Sequence, residues 1–459
     1  MRAEAARRAA IGILVVTVGS CSDSTGPDRI FLNASLAPGP ENVLSAEATV
    51  RAAGYGSAFL RYRRGDGTLV RTPAHAFGAD STARPALLGL HADTRYEVEV
   101  VLADPGELSV DTLTFTTGTL PAWLPRVTPV GTDTTPGYLI LSIPDGPVIV
   151  DNAGEVVWYR YEPDITLVNF QAHASGEYTT FGLTNDVRAY RVLDELGRET
   201  GRIGCVGYET RPHEIRVLAD GRSLVMCDDF RTEDLSPYGG SPAAEVNWTV
   251  IQLLAADGSL LWEWHTADHF DVTDTSFTTL EGVTVLNLTH GNSIEIDADG
   301  NYLFSFRNLN EVTKVDASSG EVVWRWGGRR NEFTLLGDPK GSFEQQHGVR
   351  SVGPGEIQFL DNSYEAPSRL VRYTIDESSR TATLEWEYID GPEVHTQVGG
   401  STQGYPDGGG LVSIGRAGRV VEVDASGHKR WELTGIDNLY VFRAQRIPSL
   451  YASERSGTQ

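Results

Sequence analysis

The chain has 459 residues, more than one hydrophobic core usually organises, so two domains or a domain joined to a repeat array are expected. Its 62 Asp and Glu against 38 Lys and Arg leave a formal charge of −24, which argues against nucleic acid or any other polyanion as a partner. An anionic substrate must therefore meet a locally basic site. The 49 glycines, with Asp-Gly and Pro-Gly pairs among β-branched runs, indicate many short strands joined by tight turns. No long amphipathic helix follows the N-terminus.

Arg2, Arg7 and Arg8 precede the apolar run Ala9 to Val18 and then Gly19-Ser20-Cys21. That pattern is an export signal rather than part of a fold. Val18 to Cys21 resembles the lipobox of bacterial lipoproteins. The resemblance implies a lipoprotein signal peptide over residues 1–21, lipid on Cys21 after cleavage, and a periplasmic or cell-surface protein held to a membrane by that anchor. An ordinary cleavable signal with an incidental cysteine is the other reading. No later apolar run is long enough to span a membrane. Residues 22–29 are polar and turn-rich and read as a tether. The two remaining cysteines, Cys205 and Cys227, are either a disulfide, which an oxidising compartment favours, or two buried thiols.

Short alternating stretches begin at Ile30, among them Ala48–Ala52, Ala58–Arg63 and Tyr96–Leu102. The run Gly89 to Tyr96 resembles the tyrosine-corner segment of fibronectin type III domains. Residues 30–119 are accordingly expected to form one β-sandwich of that kind.

Beyond Pro121 the chain repeats itself. A hydrophobic strand, an Asp or its neighbour, a turn, and a strand often carrying Trp recur as Val148–Trp158, Tyr190–Arg198, Ile251–Trp262, Val312–Trp324, Val371–Trp386 and Val420–Trp431. Trp recurring in an outer strand reads as packing between successive units. The second copy is the weakest, with Gly201 and Arg202 in place of Trp. A second hairpin, such as His213–Met226, lies between these units. Two hairpins make a four-stranded blade, and blades close radially so that few sheet edges stay exposed. The expectation is an all-β chain with a six-bladed propeller over residues 120–455.

The turn glycines Gly221, Gly300 and Gly355 act as a ruler for the inner hairpins. Eight residues before them stand His213, Asn292 and His347. Seven residues after them stand Asp228, Arg307 and Asn362. Equivalent positions on innermost strands converge at one mouth of a propeller's channel, and His290 shares a strand face with Asn292. A single His at a strand start is commonly a turn or core residue, but three at matching or adjacent positions favour a site. Asn292 could equally close a turn. Arg307, in the otherwise apolar strand Tyr302–Asn308, needs either an anionic ligand or a carboxylate partner. His265 and His269 follow an outer strand and read as structural or rim residues. Three histidines also raise zinc, but Arg307 would repel a cation and no HExxH or close Cys/His pair is present, so no metal is expected. No nucleophile elbow, Walker loop or dinucleotide fingerprint occurs, and no cofactor is expected.

His290-Gly291-Asn292, Ser305-Phe306-Arg307, the run Val312 to Gly328, Gln346-His347-Gly348 and Phe442 to Tyr451 together resemble the bacterial aryl-sulfate sulfotransferases that work without phosphoadenosine phosphosulfate. The resemblance spans roughly residues 120 to 451, strongest in the fourth and fifth repeats. It implies ping-pong transfer of a sulfuryl group from an aryl sulfate donor to a phenolic acceptor through a sulfated histidine. His347 matches the nucleophile, and His213, His290, Asn292 and Arg307 match sulfate-binding and acid–base positions. A non-catalytic propeller lipoprotein binding a protein partner is the main alternative. A quinone-dependent dehydrogenase fits less well, because six blades and the lack of vicinal cysteines count against it.

Overall fold

The computed structural model describes residues 29–63, 67–131, 133–162, 169–184, 187–436 and 439–455. The expected signal peptide with Cys21, and the tether up to Asp28, lie outside the described residues. Among the described residues the chain is all-β apart from short 3₁₀ turns and one helical turn at Ala452–Arg455, and no helix is long and apolar enough to cross a membrane. The chain divides into two compact units, one holding Val43–Thr119 with the residues up to Gly39, the other Leu120 onward with Pro40–Asn42.

In the first unit, period-two alternation decides which side chains are buried. Ala46, Ala48, Val50 and Ala52 turn one way from Ala46–Ala53, and Tyr96, Val98, Val100 and Leu102 do so from Arg95–Ala103. The two strands belong to different antiparallel sheets, and these side chains share one apolar core with Leu60 and Tyr62. The Tyr96 hydroxyl reaches back to accept the His91 N–H at 2.9 Å.

Among the described residues the second unit holds six sheets, each with four or five strands. The repeated Asp closes outer-hairpin turns: one carboxylate oxygen of Asp151, Asp194 and Asp424 accepts two backbone N–H groups of its own turn, while in the third copy Ala255 holds that place and Asp257 accepts the Ser259 N–H. The tryptophans pack from one sheet onto the turn of the next. Trp158 Nε1 donates to the Glu195 carbonyl at 3.1 Å, and Trp264 Nε1 to the Gly320 carbonyl at 2.9 Å. Trp386 lies against Gly427. In the third sheet Trp264, two residues past the repeat position, makes this contact, while Trp262 packs on Tyr302. Large aromatic side chains buried in this way are each worth about 3–5 kcal/mol against alanine.

Both ends of the unit are sewn into its sheets. Arg443–Ile447, near the C-terminus, pairs with Tyr138–Ile143 of the first sheet, and Thr128–Val130 pairs with Lys429–Thr434 of the last. Each sheet contributes one edge strand to a common centre. Glu209–Val217 meets Gly291–Ile296, which meets His347–Gly353, then Ser401–Gly404, Arg443–Ile447 and Phe170–Ala172. Asn169 completes the circuit by donating from its amide to the Pro212 and His213 carbonyls, both at 3.0 Å.

Candidate active site

His347 opens its edge strand and is 3 % exposed. Gly348 must follow it, because at φ +63° a Cβ there would stand 2.8 Å from the Thr402 backbone nitrogen of the next sheet. His347 Nδ1 lies 2.9 Å from the Gln345 carbonyl and 2.8 Å from Asn362 Oδ1. The Asn362 amide cannot turn round, since its Nδ2 donates to the Thr396 and Gly399 carbonyls at 2.9 and 3.0 Å. Two acceptors face Nδ1, so that nitrogen carries the proton. The Gly399 N–H points at Nε2 from 3.3 Å, which marks Nε2 as the lone-pair nitrogen. Burial, and then the Arg307 guanidinium, push the pKa of His347 down to about 4, against the pull of its Nδ1 hydrogen bonds. At neutral pH it is an uncharged imidazole with its nucleophilic nitrogen defined.

His213 and His290 meet edge to face, with ring centroids 4.8 Å apart. His213 stands where pairing between Glu209–Val217 and Ser223–Glu233 is interrupted, between Thr210 and Ile215, and its Nδ1 has no partner. The disulfide between Cys205 and Cys227 ties the approach to this strand to its neighbour. His290 has left-handed backbone (φ 49°), as does Gln345 (φ 56°), at a cost of about 1–3 kcal/mol each. Asn287 Nδ2 donates to His290 Nδ1 at 2.8 Å, leaving the Nε2–H of that ring as a donor. Burial and then surrounding cations hold both pKa values well below the usual histidine range; for His290 the neighbouring His213 contributes after burial.

Arg307 lies beyond the strand Tyr302–Phe306, and its backbone N–H donates to the His290 carbonyl at 3.1 Å. Its guanidinium donates to Asn308 Oδ1, Gln345 Oε1 and the Gln397 carbonyl at 2.8–2.9 Å. Among the described residues no carboxylate pairs with it, and its buried Nε has no partner. Burial lowers its pKa from the ordinary arginine value. This cation is set among neutral polar groups, as a waiting anion site requires.

Asn292, 3 % exposed, donates from Nδ2 to the Gln346 carbonyl at 2.6 Å, which leaves Oδ1 without a partner. Its free atom is thus an acceptor. The fold therefore gathers His213, His290, Asn292, Arg307 and His347 at one locus, and Arg307 and His347 both act electrostatically on His213 and His290. Asp228, aligned with Arg307 by the turn ruler, is instead engaged by Arg211 and by Asn247. His265 bonds Glu263 at 2.7 Å and His269 stacks on Trp264, away from the cluster. Spacing singled out Asn362 without giving it a role. Asn287, Gln345 and Gly399 carried no signal beyond the paired glycines Gly399-Gly400. The carboxylate trio Asp297, Asp299 and Glu377 is spaced to hold a metal, but Lys314 Nζ sits within 2.5–2.7 Å of all three.

The family model for arylsulfotransferase (ASST) matches residues 208–436, a span that includes every member of the cluster. The chain carries an arylsulfotransferase-family domain. That domain supports a sulfotransferase-type function acting on small molecules. No curated protein matches the chain. Among solved structures, a Bacteroides caccae protein of unknown function is 16% identical, over 65% of this chain and 93% of that one, with a TM-score of 0.42. A virginiamycin B lyase from Staphylococcus aureus is 9% identical over 85% and 99%, with a TM-score of 0.35. A quinonprotein alcohol dehydrogenase-like protein from Bacteroides thetaiotaomicron is 11% identical over 88% and 94%, with a TM-score of 0.36. Likeness at that level says nothing of activity.

Proposed function

We propose that the protein is an aryl sulfotransferase that needs no phosphoadenosine phosphosulfate and moves a sulfuryl group from a phenolic sulfate ester to a phenol by a ping-pong mechanism through His347. The observation that carries this reading is the pair formed by Arg307, a half-buried cation with no carboxylate partner among the described residues, and His347, a neutral imidazole whose Nε2 bears the lone pair.

In the first half-reaction His347 Nε2 attacks the ester sulfur, an N–S bond forms and the S–O bond to the aryl group breaks. The positive charge that develops on the ring is met by Asn362 Oδ1 and the Gln345 carbonyl at Nδ1. Arg307 and the His290 Nε2–H balance the sulfuryl oxygens in the transition state. The aryl oxygen departs as a phenolate and takes its proton from water, since His213, held uncharged by burial and surrounding cations, has none to give. In the second half an acceptor phenol gives its proton to neutral His213, its oxygen attacks sulfur, the N–S bond breaks to restore His347, and His213 passes the proton on to water. Asn292 Oδ1 suits the acceptor hydroxyl better than a sulfuryl oxygen, because it can only accept.

The six sheets of the second unit are read as the blades of a six-bladed propeller, and the first unit as a fibronectin III-like sandwich. The Trp packing between sheets and the two sewn ends support the former, and the Tyr96 contact supports the latter. Export and a lipid anchor on Cys21, at the periplasmic side or the cell surface, belong to the same proposal and rest on the N-terminal sequence.

Intact-mass analysis after incubation with an aryl sulfate alone tests the mechanism. The expected product is protein carrying one sulfuryl group, mapped to His347. An unmodified mass across a broad donor panel would overturn it in favour of a binding module. The acid limb offers a second check. With 4-nitrophenyl sulfate, whose phenolate leaves without a proton, sulfohistidine formation should fall only as pH drops through about 4, where His347 gains a proton on Nε2. A limb near 6.5 would contradict a buried neutral nucleophile.

A further inference from the structure

The spacing that aligns the histidine cluster aligns a second set of side chains. Three residues beyond His213, Asn292 and His347 stand Arg216, Glu295 and Arg350, and Arg446 stands three beyond Arg443. Three residues of extended chain cover about 10 Å, so this second tier lies farther along the same edge strands. It borders a cavity of about 580 Å³, whose lining includes neither the three histidines nor Arg307.

Fully buried Glu214 separates the tiers. It accepts from Arg350 at 2.7 Å and from Arg443 at 3.1 Å, and Arg443 also donates to the His213 carbonyl at 3.2 Å. Glu295 takes Arg216 and lies 3.7 Å from Arg350. Three arginines, Arg216, Arg350 and Arg443, are thus set against two carboxylates, Glu214 and Glu295. One positive charge is left over. Arg446 adds nothing to it, being matched by Glu422 at 2.7 Å. After burial, the repulsion of Arg350 and Arg216 helps hold the Arg443 pKa below the ordinary arginine value. Gln171, 3 % exposed and on the cavity wall, has an Nε2 with no hydrogen-bond partner. A cavity of ligand size, an excess guanidinium charge and an idle amide donor coincide, in a chain of net charge −24.

We propose that this cavity is a second anion site, distinct from the histidine cluster, that takes a small molecule with a carboxylate or sulfate head. The proposal does not depend on the sulfuryl-transfer reading. Its head group meets Arg350 and Arg443 from the side opposite Glu214 and accepts from Gln171 Nε2.

Sodium sulfate and sodium benzoate, each titrated into the full chain against sodium chloride at constant ionic strength, test it by calorimetry and melting temperature. Saturable binding by at least one of the two is expected, and it should survive in Arg307→Ala. Gln171→Glu should weaken it roughly tenfold or more, since the new carboxylate cancels the excess charge. Val352→Glu, on the partly exposed wall of the same cavity, should do likewise and serves if Gln171→Glu does not fold. Binding lost in Arg307→Ala, binding unchanged in the folded glutamate variants, or no saturable binding of either anion would each overturn the proposal.

Discussion

His347→Ala is expected to lower the rate of sulfuryl transfer on the order of 10⁴-fold or more and to abolish the sulfated protein formed with donor alone. The size follows from the division of labour in the cluster. Arg307, His290 and His213 can bind and polarise an ester, but the lone pair of His290 is spent on Asn287 at Nδ1, and no hydrogen bond fixes that of His213. Of these side chains His347 alone has acceptors facing one ring nitrogen and a backbone donor facing the other. No protein group would replace it. Turnover that persists near the wild-type rate in His347→Ala would remove the nucleophile assignment, whatever happened to binding.

Arg307→Ala should cost roughly 10²–10³-fold in kcat, as removal of one preorganised donor to a developing oxyanion does. The same substitution separates function from stability. Arg307 is a half-buried cation with no carboxylate partner among the described residues, held by side-chain and backbone oxygens alone. Its removal relieves a desolvated charge, so the melting temperature should stay level or rise while activity falls. A sharp drop in melting temperature would mark Arg307 as structural instead. Arg307→Lys should not rescue activity, because a single ammonium cannot hold Gln345, Asn308 and Gln397 and still present a free N–H to an ester.

Much of the site was legible in the sequence because a repeat is a coordinate system. Turn glycines fix the hairpin ends, the side-chain period of two fixes the face, and equal offsets from Gly221, Gly300 and Gly355 pick out residues that the structure brings together. The ruler failed at Asp228, where the irregular pairing between Thr210 and Ile215 changes the register and Arg211 takes the carboxylate. It picked out Asn292 without fixing its role, and the donor of that side chain is spent on the Gln346 carbonyl. The question left open for Arg307, anion or carboxylate, could not be answered along the chain, since any carboxylate might have come from another sheet.

By itself the sequence determined the all-β character and the recurring Asp turns with their Trp neighbours, and it chose five side chains for one site. Those are properties of residues near each other in the chain, set by turn geometry and by alternation. The tertiary structure alone decided the chemical state of those side chains. The tautomer of His347 depends on Asn362, fifteen residues on, and on Gly399, 52 residues on, and among the described residues the neutral oxygens that hold Arg307 without a carboxylate come from Asn308, Gln345 and Gln397. Hydrogen-bond partners and compensating charges act through space at about 3 Å, and a strand pattern carries no record of which distant backbone will arrive there.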